Sequence, residues 1–162
     1  MSLNMNKKGK SKKTARLFLA GDHAGFKLKE IIKSYLAKKG FTLSDFGPLE
    51  FDNKDDYPDY VIPMAKKLAK TNGARGLIIA GSGQGEAIAT NKIKGIRAGI
   101  YHGGSNKIVK TGREHDDTNI LCIGSRFMSE SEAKRAINIF LNTEFQGGRH
   151  SRRLKKVSRI LK

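Results

Sequence analysis

Gly76-Leu77-Ile78-Ile79-Ala80-Gly81-Ser82-Gly83-Gln84-Gly85-Glu86 passes from a short apolar run into a glycine-rich turn. Leu77 to Ile79 reads as a buried strand of a parallel sheet. The residues after the turn, Glu86-Ala87-Ile88-Ala89, suit a helix. A strand therefore feeds a turn that opens a helix. Backbone N–H groups at such a turn point outward, and the helix end adds positive potential. The turn is suited to hold an anion, bound or developing. Glu86 stands directly after it. A carboxylate beside an anion-stabilising nest points to proton abstraction next to a carbonyl, with Glu86 taking the proton and the amides holding the enolate oxygen.

Glycine loops of this kind also serve as plain tight turns or as dinucleotide sites. The dinucleotide pattern requires a third glycine three positions after the second, and Glu86 stands there. The G-K-[ST] ending of a Walker A loop is also missing.

The chain has 162 residues, enough for one domain with a real core. Residues 16–162 are expected to form that single domain. No apolar run approaches a membrane span, and the basic start has no apolar stretch behind it, so neither a membrane protein nor a secretory signal is expected. The lone cysteine, Cys122, lies in the apolar run Ile120-Leu121-Cys122-Ile123 and reads as a buried strand residue. A reducing cytoplasm fits. The formal net charge is +17, from 32 Lys and Arg against 15 Asp and Glu. Much of the excess sits at the two ends. Residues 1–15 read as a disordered basic tail. There is no zinc-ligand spacing and no aromatic-rich basic strand, so specific nucleic-acid binding is not expected. Weak salt-sensitive binding would follow from charge alone.

Taken in order, the strands are expected at 16–20, 41–45, 77–79, 97–100 and 120–124. Helices are expected at 26–39, 59–70, 85–92, 105–114, 133–141 and 150–160. Phe26, Leu28, Ile31, Ile32, Tyr35 and Leu36 mark the inner side of the first. Pro63 is expected in the first turn of the second, where proline is tolerated. Ser129-x-x-Glu132 caps the fifth. In the last, Leu154, Val157, Ile160 and Leu161 are spaced for packing. Strands alternating with helices give an α/β fold, a doubly wound parallel five-stranded sheet with a C-terminal helix. Ligands of such sheets bind at the carboxyl ends of the strands. Asp22-His23 follows the first strand, Ser82 to Glu86 the third and Arg126 the fifth. By themselves, Asp22 and His23 read first as a helix cap and a structural histidine; their placement at strand ends beside the glycine loop shifts the balance toward a site.

Seven segments carry a resemblance. They are G-D-H-A-G (21–25), D-Y-P (56–58), G-S-G-Q-G-E-A-I-A-T-N-K (81–92), G-I-R-A (95–98), R-E-H-D-D-T-N (113–119), I-G-S-R (123–126) and G-G-R-H-S-R-R (147–153). In this order they resemble the type B ribose-5-phosphate isomerases, a group that includes the subunits of galactose-6-phosphate isomerase. The resemblance implies a Rossmann-like fold. It implies an aldose–ketose isomerase with no metal or organic cofactor, interconverting D-ribose 5-phosphate and D-ribulose 5-phosphate through a cis-enediolate. It also implies a homo-oligomer, dimer or tetramer, whose sites are built from two subunits.

On this resemblance, Glu86 is the base, moving a proton between C2 and C1. Such a carboxyl needs its pKa raised by burial. Backbone N–H groups of Gly81, Gly83, Gln84 and Gly85 hold the enediolate. Ser82 and His115 resemble the pair that opens the furanose ring. Asp22 resembles the group that handles protons on the sugar oxygens. His23, Arg126, Arg149 and Arg153 match the phosphate ligands, and Arg forks suit phosphate. Arg152 reads as surface, and His150 and His102 have no assigned role.

Two departures stand out. Ala80 occupies the place of a cysteine base found in many members, which assigns this chain to the branch with glutamate after the loop. Asp116 follows His115 where many members have asparagine. A carboxylate there can raise the histidine pKa and alter the choice of sugar. Allose, galactose and tetrose phosphates remain open as substrates, as does a non-catalytic binding role on the same fold.

Overall fold

The computed structural model describes residues 16–161. The expected tail at 1–15 lies outside the described residues. Five strands, β1 (Leu17–Gly21), β2 (Leu43–Asp45), β3 (Arg75–Ala80), β4 (Ala98–Tyr101) and β5 (Ile120–Gly124), form one sheet. Its order is β2-β1-β3-β5-β4, and every pairing is parallel. Six helices connect or follow the strands: α1 (Phe26–Lys38), α2 (Pro58–Ala69), α3 (Gln84–Asn91), α4 (Lys107–Asp116), α5 (Glu130–Asn142) and α6 (Arg149–Ser158).

Side chains alternate between the two faces of each strand. Leu17, Leu19, Leu77, Ile79, Leu121 and Ile123 pack against α1, α4 and α5. Phe18, Ala20, Ile78, Ala80, Ile120 and Cys122 pack against α2 and α3. The sheet is thus covered on both faces, which is why its strands read as continuous apolar runs. Each fully buried leucine or isoleucine contributes about 1.5–3 kcal/mol.

Local chemistry sets the ends. Gly40, at φ +86°, follows the end of α1 as a left-handed residue. The capping box of Ser129 and Glu132 is formed in both directions. Pro58 starts α2, where a missing N–H costs nothing. This early start overturns the expectation for Pro63. It lies inside α2 rather than in its first turn. The buried thiol of Cys122 matches its reading from sequence, and burial pushes its pKa far up.

Two other features differ from expectation. Lys29 is fully buried on α1, where its Nζ donates to Asp45 at 2.7 Å and Glu30 at 2.9 Å. Helical periodicity cannot announce a charge that is neutralised by a strand end. Burial alone would raise Asp45, but donation from Lys29, Lys33 and the Gly47 N–H holds its pKa below the ordinary value. The expected packing of α6 is incomplete among the described residues: Leu154 is half-buried, but Val157 is 58% and Ile160 76% exposed. Their spacing marks an apolar edge left open.

The winding across the sheet reverses at β1, since β2 lies to one side of β1 and β3, β5 and β4 to the other. The carboxyl ends of β1 and β3 therefore flank the switch point, where doubly wound sheets bind ligands.

Candidate active site

The turn after β1 is pressed onto the end of β3. A methyl group added at Gly25 would overlap the Ile79 carbonyl, so only glycine fits there. The Asp22 carboxylate accepts from the Gly25 N–H at 3.0 Å and so caps the short 3-10 turn His23–Gly25. Asp22 is nonetheless not merely a cap, because its charge acts on Glu86.

After β3, Gly83 adopts φ +78° as the N-cap of α3. A side chain at this position would be strained by that φ, and its Cβ would approach Cys122. The first N–H groups of α3 have no carbonyl one turn earlier to bond with, and the Gln84 N–H meets Ser82 Oγ at 3.3 Å. Glu86 occupies the third position of α3 and is only 4% exposed. Burial raises its pKa above the ordinary carboxylate value. Its own backbone N–H opposes this, while the charge and hydrogen bonding of Asp22 add to it. A carboxyl tuned upward in this way is a better proton acceptor than an ordinary carboxylate.

Arg126 joins the same edge from the turn Ser125–Phe127 after β5. Its backbone N–H donates to the Gly81 carbonyl at 3.2 Å, and its guanidinium lies over the open face of Gly81. Ser125 Oγ donates to the Ala24 carbonyl at 3.2 Å, tying this turn to the one after β1. His23 is half-buried, with Nδ1 2.6 Å from Asp55 Oδ1. That hydrogen bond raises the His23 pKa. Burial opposes it, Asp22 and Asp55 add their charge, and Arg126 opposes.

Asp22, His23, Ser82, Gln84, Glu86 and Arg126 thus share one edge of the sheet. His115, Asp116, Arg149 and Arg153 do not join them. His115 and Asp116 end α4, and the chain then enters β5. They lie at the amino edge of the sheet, about 15 Å of strand away from the carboxyl edge. The Ser82–His115 pair is therefore not assembled within one chain.

The far group is itself ordered. The His115 ring stacks on His150 at 4.2 Å, with 10° between planes. His150 is the second residue of α6, between Arg149 and Arg153. Burial lowers its pKa, neighbouring His115, Arg149 and Arg153 lower it further, and Asp116 opposes them. Beside this group lies an apolar groove of about 950 Å³, lined in part by Ile96, Ile108, Leu154, Val157 and Ile160.

Three participants were not singled out from sequence: Asp55, Tyr57 and His150. Tyr57 Oη would touch a methyl group placed at Gly85, so the phenol covers the glycine turn. The D-Y-P segment was the available signal for Tyr57. Among the described residues, no group of three or more His, Cys, Asp and Glu side chains could hold a metal. No helix among them is long and apolar enough to cross a membrane.

Residues 17–157 match the sequence profile of the family described as Ribose/Galactose Isomerase. The chain is 35% identical over 140 residues to the ribose-5-phosphate isomerase B of Mycobacterium tuberculosis, covering 86% of this chain and 85% of that one. It superposes on the ribose-5-phosphate isomerase B of Mycoplasma genitalium, solved with bound ribulose-5-phosphate, with a TM-score of 0.86 and 40% identity. That match covers 91% of this chain and 96% of the other. The corresponding enzyme of Clostridium thermocellum gives a TM-score of 0.84 at 36% identity, over 90% of this chain and 96% of that one. The parallel sheet, the glycine turn and these matches agree: the chain belongs to the ribose/galactose isomerase family, and it is an isomerase.

Proposed function

We propose that this isomerase interconverts D-ribose 5-phosphate and D-ribulose 5-phosphate through a cis-enediolate, without a metal or cofactor. One observation carries the reading: Glu86 is buried, raised in pKa and set directly behind the glycine turn. The names of the relatives support the choice of sugar. The single buried cysteine needs no oxidising compartment, which fits action in the cytoplasm.

In the forward direction Ser82 and His115 open the furanose ring. The free aldehyde then acidifies the C2 proton. Glu86 takes that proton, and the N–H groups of Gly81 to Gly85 hold the enediolate oxygens. Asp22 carries a proton from the C2 oxygen to the C1 oxygen. Glu86 returns its proton to C1, giving the ketose. His23, Arg126, Arg149 and Arg153 bind the phosphate, whose binding energy orients a small flexible sugar.

This scheme requires residues from both edges of the sheet. We infer that a second copy supplies His115, Asp116, Arg149 and Arg153 to the Glu86 of the first, in a homodimer. The stacked His115–His150 group and the uncovered Val157 and Ile160 beside it support that arrangement. An interface built on one apolar face of each copy closes in a symmetric pair.

The test is conversion of ribose, allose and galactose phosphates and a tetrose phosphate, with EDTA present. Rapid turnover of ribose 5-phosphate is expected. Turnover of another sugar alone would move the assignment toward Asp116, the carboxylate beside His115. No turnover of any, by a folded protein, would overturn the reading.

A further inference from the structure

We propose that Asp55 is a positioning residue for the substrate phosphate, clamping His23 so that ring Nε2 is the nitrogen presented to the ligand. The inference rests on the reading of His23 as a phosphate ligand.

Asp55 belongs to the loop between β2 and α2, 32 positions from His23. Its side chain is 2% exposed. Burying a carboxylate is costly unless it is paired. Among the described residues its side-chain partners are both on His23. Oδ1 accepts from the His23 backbone N–H at 3.2 Å and meets ring Nδ1 at 2.6 Å. Oδ2 is buried without a partner. No lysine or arginine forms an ion pair with it among the described residues. By contrast, Asp52 in the same loop accepts from the Lys54 N–H and serves its own turn. Asp55 is therefore committed to one residue in another part of the chain.

The clamp has two consequences for that residue. Fixing the backbone N–H and Nδ1 together removes both the ring flip and the rotation of the side chain. It also fixes charge. The groups facing His23 are Asp22 from its own turn, Asp55 from the β2–α2 loop and Arg126 from the turn after β5. The hydrogen bond to Asp55 leads this balance toward the imidazolium. A clamped imidazolium donates Nδ1–H to Asp55 and Nε2–H outward. A neutral ring, free to flip, could instead turn a lone pair toward a phosphate dianion. Pre-paying the orientation of a ligand group in this way favours binding rather than chemistry.

The experiment is a double-mutant cycle of Asp55→Asn and His23→Gln, with inorganic phosphate as a competitive inhibitor. Ki for phosphate, and KM and kcat for ribose 5-phosphate, are measured for all four proteins. Asp55→Asn is expected to raise Ki and KM about tenfold while kcat moves less than about threefold. In the His23→Gln background the same change is expected to add less than about twofold. Equal effects in both backgrounds, or an unchanged Ki in Asp55→Asn, would overturn the proposal and leave His23 as a ligand. An unchanged Ki in His23→Gln would remove the phosphate reading of His23, and the proposal with it. Ring ¹⁵N shifts of the wild-type protein supply a check that needs no variant. His23 is expected to titrate above the ordinary histidine range, and titration at or below it contradicts the clamp.

Discussion

The carboxyl groups of Asp22 and Glu86 come together at the switch point of the sheet, each less than one-tenth exposed. Asp22 is held in place by the Gly25 N–H, and Glu86 by the first turn of α3. Burial pushes the Glu86 carboxyl above the ordinary value, and the charge and hydrogen bonding of Asp22 push it in the same direction.

This has a consequence for stability. Glu86 binds its proton more tightly in the folded chain than in the unfolded one. Its contribution is fully favourable below the ordinary carboxylate pKa of 4.5 and is lost as pH rises through the raised value. Glu86→Gln removes the charge and keeps the shape. It is expected to melt at a higher temperature than the wild type at neutral pH. The gap should close as pH falls below the ordinary carboxylate range. A variant less stable at neutral pH would contradict the assigned environment.

The proposed role of Glu86 as the base makes the same tuning visible in the pH dependence of turnover. The acid limb of kcat against pH is expected above the ordinary carboxylate pKa, because the base must be ionised to act. A limb at or below that value would argue against Glu86 as the titrating group.

The proposed division of the site between two copies predicts complementation. Glu86→Gln and His115→Ala are each expected to be inactive as pure proteins. After mixing and exchange, half the dimers are mixed and each carries one intact site. About one quarter of wild-type activity should return. No recovery, with exchange verified, would mean that both residues serve the same site from one chain.

The open edge of α6 gives a related test. Val157→Asp and Ile160→Asp each place a charge on an exposed apolar position. Both variants are expected to sediment as monomers and to lose turnover while keeping the wild-type circular dichroism. A dimer with normal activity would remove that edge from the interface.

Much of this was legible in the chain. Strand and helix order came from apolar runs and glycine punctuation, because a sheet covered on both faces writes its strands as uninterrupted hydrophobic stretches. The glycine turn and Glu86 were legible for the same reason: position after a strand dictates placement at the carboxyl edge. Pairings between distant segments were not. Nothing local marks Asp55 as the partner of His23, or Lys29 as the partner of Asp45. The R-E-H-D-D-T-N segment mixes roles that spacing cannot separate. Arg113 is buried and donates to the Thr118 and Thr143 carbonyls, and Asn119 bridges the Arg97 N–H and the Gly95 carbonyl. His115 and Asp116 in the same segment end α4 at the opposite edge of the sheet from Glu86. The α6 spacing correctly announced an apolar face but not that part of it would remain uncovered among the described residues.

Glycines separate close approach from backbone freedom. Gly25→Ala would drive a methyl group into the Ile79 carbonyl and is expected to cost about 3 kcal/mol or more. Gly40→Ala meets no atom within 4 Å and bears only the strain of its left-handed φ, about 1 kcal/mol. Urea unfolding of the two variants checks the order, and equal losses would contradict it.

The central claim is that Glu86 shuttles one proton between C2 and C1. The most direct measurement is isomerisation of ribose 5-phosphate in D₂O with EDTA, followed by NMR for deuterium at C1 of the ketose and C2 of the aldose. The wild-type protein is expected to isomerise the sugar and to wash deuterium into both positions. In Glu86→Gln, isomerisation and exchange should fall together by about 10²–10⁴-fold. Exchange and turnover near wild-type rates in that variant would contradict the account.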